Sequence, residues 1–503
     1  VQAQQLRIDA NSLSNQAGTL THLGTQDLNI NLLGDLNNND GRIASNSQNL
    51  TISATNLSNS QTGKHLNTQL GILHKGNDHL SLSVGTLQNN QGSLTSAGAL
   101  TINSTGQVNN HQGALVASAA LSVEASHIIN TQAQLGSENS SVKLTTNLDQ
   151  SKGNDPHNDL GLDNQSGVIA AKTNVNINAY GINNEAGTLA AETLAINSQH
   201  HVLNNIDGHI EATAIIANSS TLLNINSGLL TNTRGVITSA GGIKINTHKK
   251  QLINTQSGPT KGIMAQGDVA LSTGVFNNSQ GYVGSTRALT IQASQLNNHN
   301  GTLLQTGAFD TQFIVTNGLF NTQGSIVSSG QNFNLKLGQF INNVGTLGHV
   351  GDGTLNIETD NGLVNQSAGR IAGNGNAIIR VGSASVASLD NRGGVIELAA
   401  TEASLKLTVN GSLDNGKLEP NNGAVSAGKI FSHGDGTVNV GHLDNTLGHL
   451  SSAGALSINS IGQVNNHQGT LVASTALSVE ASQIINTQAQ LGSENSSVKL
   501  TSN

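Results

Sequence analysis

The stretch LQNNQGSLTSAGALTINSTGQ (Leu87–Gln107) decides how the rest of the chain is read. Its apolar residues arrive in pulses, at Leu87, at Leu94, and at Leu100 with Ile102. Around Leu100–Asn103 they alternate with polar residues, the period-2 signature of a half-buried strand. No 3.6-residue stripe persists for three turns. Gly92, Ala97-Gly98 and Gly106 separate the pulses, and they are expected to supply the turns. Three short strands in 21 residues cannot bury a core alone. Stacked on like neighbours, they pair every strand and set each aliphatic over its counterpart.

The neighbours exist. The opening phrase returns as Val108-Asn-Asn-His-Gln-Gly113, Leu13-Ser-Asn-Gln-Ala-Gly18, Leu36-Asn-Asn-Asn-Asp-Gly41, Leu162-Asp-Asn-Gln-Ser-Gly167 and Ile182-Asn-Asn-Glu-Ala-Gly187. It continues at Leu203, Leu296, Leu389 and Leu443, with less regular starts at Leu57, Ile129, Leu230, Ile253, Phe276, Phe320, Ile341, Val364, Leu413, Val464 and Ile485. These 21 starts lie mostly 20 to 25 residues apart. The expected fold is an all-β, right-handed parallel β-helix of about 21 rungs, running through residues 1–503 as one continuous array. At about 4.8 Å per rung that is a rod of about 100 Å.

The third position of the phrase is usually Asn: Asn15, Asn38, Asn89, Asn110, Asn164, Asn184, Asn205, Asn298, Asn391, Asn445 and Asn466. Stacked corner amides can hydrogen-bond the rungs above and below. Asn also tolerates the left-handed conformation of a tight corner, so its expected role is structural.

A longer repeat overlies the short one. Residues 96–147 recur as 452–503, an offset of 356, with six differences that include Thr105/Ile461 and His127/Gln483. Upstream the phase persists, with Leu87 matching Leu443 and Leu57 matching Leu413. Copying a large block is easy where each rung meets only its neighbours.

Composition supports a thin core with neutral faces. Hydrophobic residues are 35%, charged residues 10% and aromatic residues 2%, with 58 Gly, 3 Pro and no Trp. The low charge and scarce proline argue against disorder. With no Cys there are no disulfides, thiolate nucleophiles or Cys-based zinc sites. A net charge of −8 offers no basic footprint for nucleic acid. No run of about 18 apolar residues exists, so no membrane-spanning helix is expected. The first residues do not form a signal peptide, and the chain reads as an excerpt from a longer array.

The phrase L-x-N-x-x-G-x-[IL], followed by SAGALTIN at Ser96–Asn103, resembles the haemagglutinin repeats of the filamentous haemagglutinin family. These are long exoproteins of two-partner secretion systems. The chain is similar in the same way to contact-dependent growth-inhibition exoproteins, which carry a toxin on such a stalk. The resemblance implies an outer-membrane transporter partner acting through a domain outside this segment. It also implies extracellular display at the outer-membrane surface, and a structural or adhesive role.

An enzyme is the rival reading, because β-helices also carry polysaccharide-degrading sites. That chemistry needs carboxylates or basic residues clustered on one face of successive rungs, often with aromatics. The 29 acidic residues read as scattered, so no catalytic residue, cofactor or metal site is expected. His200-His201, His248-Lys249-Lys250 and the Lys64–His79 stretch, with His65, His74 and His79, read as solvated corner or loop residues. Adjacent histidines on a strand point to opposite faces and chelate poorly. Gly351-Asp352-Gly353 and Gly434-Asp435-Gly436 lack the tandem copies of a calcium-binding repeat and read as turns. Recognition of a receptor or glycan is sought where the array breaks its pattern. Those places are the irregular loop 148–161 with Lys152, Asp155, His157 and Asp159, the Lys64–His79 stretch, and Lys417–His433 with Pro420.

Overall fold

A computed structural model describes residues 1–63, 69–147, 160–214, 221–383, 386–418 and 426–502. The chain groups into two compact units, Val1–Ile253 and Asn254–Asn503. Each is a parallel β-solenoid, and together they make about 21 turns.

In the first unit a rung consists of three short strands, one on each of three ladders. Ser93–Ser96 lies on the first, Ala99–Ser104 on the second and Gln107–Asn109 on the third. Every strand pairs in parallel with its equivalent one repeat later. Leu94 registers on Leu115, Leu100 on Leu121, Ile102 on Val123 and Val108 on Ile128. These residues are at most 1% exposed, so the core is four columns of stacked aliphatics. Burying one such side chain contributes about 1.5–3 kcal/mol, and no aromatic bulk is required.

The second unit repeats the plan. Ile326 registers on Leu347, Leu335 on Ile357 and Leu319 on Phe340. Here the interior also holds Phe276, Phe313, Phe333 and Phe340, and Phe313 packs edge-on to Phe333 at 5.5 Å between centroids.

The corner asparagines form a continuous amide column within each unit. In the first, Asn15 Nδ2 donates to Asn38 Oδ1 (2.7 Å), and the pattern passes through Asn59, Asn89, Asn110, Asn130, Asn164, Asn184 and Asn205 to Asn232. In the second it runs from Asn254 through Asn278, Asn298, Asn321, Asn342, Asn365, Asn391, Asn415 and Asn445 to Asn466 and Asn486, with every link at 2.7 or 2.8 Å. Most of these Nδ2 groups also reach backbone carbonyls, as Asn89 does toward Gly92 and Ala114.

The columns correct the reading of six irregular phrases. The inward residues are Ile128, Leu252, Leu319, Phe340, Leu363 and Ile484, each one place before the start read from sequence. Ile129, Ile253, Phe320, Ile341, Val364 and Ile485 therefore face outward. In a period-2 strand a one-residue slip reverses every side chain, and the buried Asn two places on decides the register.

The turn chemistry also differs from the expectation. Neither the corner Asn nor the phrase glycine takes the left-handed conformation. That falls to the fifth position, filled by Ala17 (φ 50°), Asp40 (51°), Gln91 (51°), Gln112 (53°) and their counterparts. The turn closes when the glycine N–H donates to the Asn carbonyl, as Gly113 does to Asn110 (3.1 Å), with positive φ at the third turn residue as in a type II turn. The sixth position is glycine in most phrases, for space, with Ala133, Ser257 and Ala489 as small exceptions. A Cβ on Gly113 would lie 2.6 Å from Asn110 Oδ1 and would collide with the Asn89 carbonyl one rung below.

A second correction concerns histidine. His74 is not solvated. It closes the strand Gly71–His74 and is 2% exposed, with Nε2 3.0 Å from the Ser47 carbonyl and Nδ1 3.0 Å from Ser96 Oγ. His22 and His349 occupy the same inward position on other rungs. Burial holds the pKa of His74 and of His349 below the usual imidazole value, so both are neutral inside the solenoid.

Asn110→Ala removes a donor and an acceptor from the buried column and should cost about 1–3 kcal/mol. It should appear as faster amide exchange in Gln107–Asn109 and Ala114–Ala117. Gly113→Ala should be more damaging than Gln112→Gly, because the first sets a Cβ against the Asn89 carbonyl and the second places glycine at a left-handed position, as paired denaturant midpoints would show.

Candidate functional site

The outward faces carry the chemistry, and most of it is neutral. Two features stand apart.

The first is a shallow concave groove at the bend between the second and third ladders. In the first unit it spans about 750 Å³ and is lined by Ser53, Thr55, Ser83, Gly85, Asn103, Thr105, Glu124, Ser126 and Asn147, with Leu33 on its rim. Glycine keeps its floor low, since a Cβ on Gly85 would collide with the Thr55 carbonyl. The Asn147 amide donates to Glu124 Oε1 (2.7 Å), and Thr55 Oγ1 to the Leu33 carbonyl (2.9 Å). The second unit has a groove of about 460 Å³ lined by Val440, Gly441, Asn459, Ser460, Ile461 and Glu480. Each of these is the 356-residue counterpart of a residue lining the first: Val84, Gly85, Asn103, Ser104, Thr105 and Glu124. Each groove carries one strongly exposed aliphatic, Leu33 at 84% and Ile461 at 86%.

The second feature is a carboxylate column in the second unit. Asp390 registers on Asp414, and Asp414 on Asp444. The Arg392 guanidinium bridges two of them, with Nη2 2.7 Å from Asp390 Oδ2 and Nε 3.2 Å from Asp414 Oδ2. Asp414 accepts the Gly416 N–H (3.2 Å), and Asp444 accepts from Thr446 Oγ1 (2.6 Å) and Asn465 Nδ2 (3.3 Å). Burial, with the flanking Asp390 and Asp444 charges, raises the Asp414 pKa, against the pull of Gly416 and Arg392. The Arg392 pKa is raised in turn, chiefly by its bond to Asp390.

The acidic residues are thus not all scattered, and the enzyme reading meets its geometric requirement in part. The signal was in the sequence, as aspartate at the second position of three successive phrases. What the column does is visible in its partners. Each carboxylate already accepts from a side chain or backbone of its own rung or the next, which ties rungs together.

The residues singled out from sequence fall out unevenly. Lys152, Asp155, His157 and Asp159 of the 148–161 loop lie outside the described residues, as do Lys64, His65 and Pro420. The Lys64–His79 departure is shorter than it reads, because Gly71–His74 and the strand from His79 are regular. At Lys417–His433 an isolated antiparallel bridge joins Lys417 to Ala427, and the solenoid resumes at Lys429–Ser432. Asp352 and Asp435 sit in turns, where they bond Asn374 Nδ2 and the Ala455 N–H. Among the described residues no group of three or more His, Cys, Asp or Glu is arranged to hold a metal ion. No helix there is long and apolar enough to cross a membrane.

A family model for the haemagglutinin repeat matches residues 95–154, 143–205, 197–256, 254–313, 310–367, 421–467 and 432–503, well over half of the chain. The chain belongs to the haemagglutinin-repeat family. The matched segments overlap across several rungs each, as expected when one rung resembles the next. Haemagglutinin repeats build secreted, surface-exposed proteins of structural and adhesin type, a family not known for enzymes. No curated protein and no solved structure matches the chain.

Asp414→Asn should raise stability at pH 7, because it deletes a half-buried charge between two like charges while keeping an acceptor for the Gly416 N–H. A raised carboxyl pKa means the folded state binds the proton more tightly, so the penalty exists only above the unfolded value near 3.8. Denaturant midpoints of wild type and variant should converge as the pH falls to about 3.

Proposed function

We propose that this chain is a stalk segment of a long bacterial exoprotein. In this reading it is exported through a two-partner outer-membrane transporter, and it carries an adhesive or toxin domain away from the producing cell. The observation that supports the reading most is the parallel rung-on-rung strand pairing within each unit, with neutral Asn, Ser, Thr and Gln outside and one aliphatic plan inside. Such a solenoid gains length by copying, and its stability is a sum of neighbour terms. Deleting residues 104–459 joins Asn103 to Ser460, the counterpart of Ser104. The shortened exoprotein should fold and be exported, with its reach reduced by about 4.8 Å per rung removed. Loss of export would count against a spacer role.

A second reading is favoured by the groove that recurs at the 356-residue offset. Its lining of hydroxyl, amide and carboxylate groups suits a neutral glycan chain, and two copies on one protein would add avidity. Glycan-array binding by the full chain should weaken at least tenfold when Asn103 and Asn459 are both changed to Ala. An array with no bound glycan at high micromolar protein would sink this reading.

A further inference from the structure

Two histidine motifs that read as unrelated in sequence converge in the first unit. Ser198–His201 and Thr247–Lys250 are four-residue turns, closed by His201 N–H to the Ser198 carbonyl (2.9 Å) and Lys250 N–H to the Thr247 carbonyl (2.8 Å). Both occupy the bend between the second and third ladders. They are two rungs apart, and the rung between them turns at Ser227-Gly228. A Cβ at Gly228 would collide with the His200 carbonyl, so the intervening rung presents bare backbone there. Over that gap the His200 and His248 rings meet with centroids 4.0 Å apart and planes at 73°. Both side chains are exposed, and neither imidazole has a hydrogen-bond partner among the described residues. His201, the neighbour of His200, instead stacks on Tyr180 at 3.6 Å.

The backbone holds the pair in place at a cost. His200 (φ 66°) and His248 (φ 49°) are both left-handed, as are Gln199 (52°) and Lys249 (64°). Non-glycine residues in that region carry strain of about 1–3 kcal/mol.

We propose that His200 and His248 form a two-imidazole site for a borderline divalent transition-metal ion, such as Cu²⁺, Ni²⁺ or Zn²⁺. Neutral imidazole is the ligand those ions select, whereas Ca²⁺ and Mg²⁺ select oxygen. Two protein ligands leave the remaining positions to water, so the site captures an ion exchangeably. A bound ion would staple turns 48 residues apart in sequence, from His200 to His248, across the glycine rung.

The test is Cu²⁺ titration of the full chain, followed by electron paramagnetic resonance. The expected result is one strong equivalent whose signal shows coupling to two imidazole nitrogens. His200→Asn and His248→Asn should each weaken binding at least tenfold and remove one coupled nitrogen, while the exposed control His79→Asn leaves both unchanged. Carbethoxylation of the wild-type chain, read by mass spectrometry, removes any dependence on the variants. Stoichiometric Cu²⁺ should protect His200 and His248 together. Unprotected histidines, or single variants that bind Cu²⁺ as tightly as wild type, would overturn the proposal.

Discussion

The fold depends first on consecutive rungs keeping one register, and the buried asparagine column is where that register is enforced. Backbone pairing alone would accept a shift by two residues with little loss, since any parallel strand offers the same donors and acceptors. An amide that must donate to the next amide, accept from the previous one and reach two backbone carbonyls accepts only one position. The glycine three residues on is tied to the same constraint, because its missing Cβ leaves room for the Asn oxygen and for the carbonyl of the rung below. The strained fifth residue is a consequence, since the turn that brings Asn inward needs positive φ beside it.

This division of labour explains why the fifth position varies so freely. Gln, Asp, Ala, Ser, Arg, Val and Leu all occupy it, at φ between 50° and 63°. An exposed residue there pays a modest backbone penalty wherever the column has already fixed the turn. The sixth position is narrower in its choice, glycine in most phrases and a small residue at Ala133, Ser257 and Ala489, because its neighbours are largely backbone atoms.

Function, on this reading, is written on a surface the core does not constrain. Outward positions tolerate Asn, Ser, Thr, Gln, Asp or Lys, so the two units can share one interior and differ outside. The Asp390–Asp414–Asp444 column and the His200–His248 pair show how local chemistry is made on such a surface. Stacking sets side chains from residues 20 to 50 apart within reach, and no element has to be rebuilt. The twin grooves show the converse, a shape copied with its block and then altered at several lining positions, Ser53 to Val409, Ala54 to Asn410, Ser83 to Asn439 and Thr105 to Ile461.

Much of the molecule was legible in the sequence. The period of 20 to 25 residues, the alternation at Leu100–Asn103 and the recurring Asn and Gly determined a parallel β-solenoid and its interior, because they report chain-local geometry: period-2 pleating, turn chemistry and repetition. Tertiary structure decided what depends on stacking. It placed Ile128 inside and Ile129 outside, buried His74, gave the left-handed turn residue to Gln112 in place of Asn110, and set His248 against His200 instead of leaving His201 as its partner. Each of these is fixed by which residue lies one or two rungs away, and that distance follows from rung lengths and insertions accumulated along the chain. A repeat announces itself in any single copy, but its neighbours are defined only once the copies are stacked.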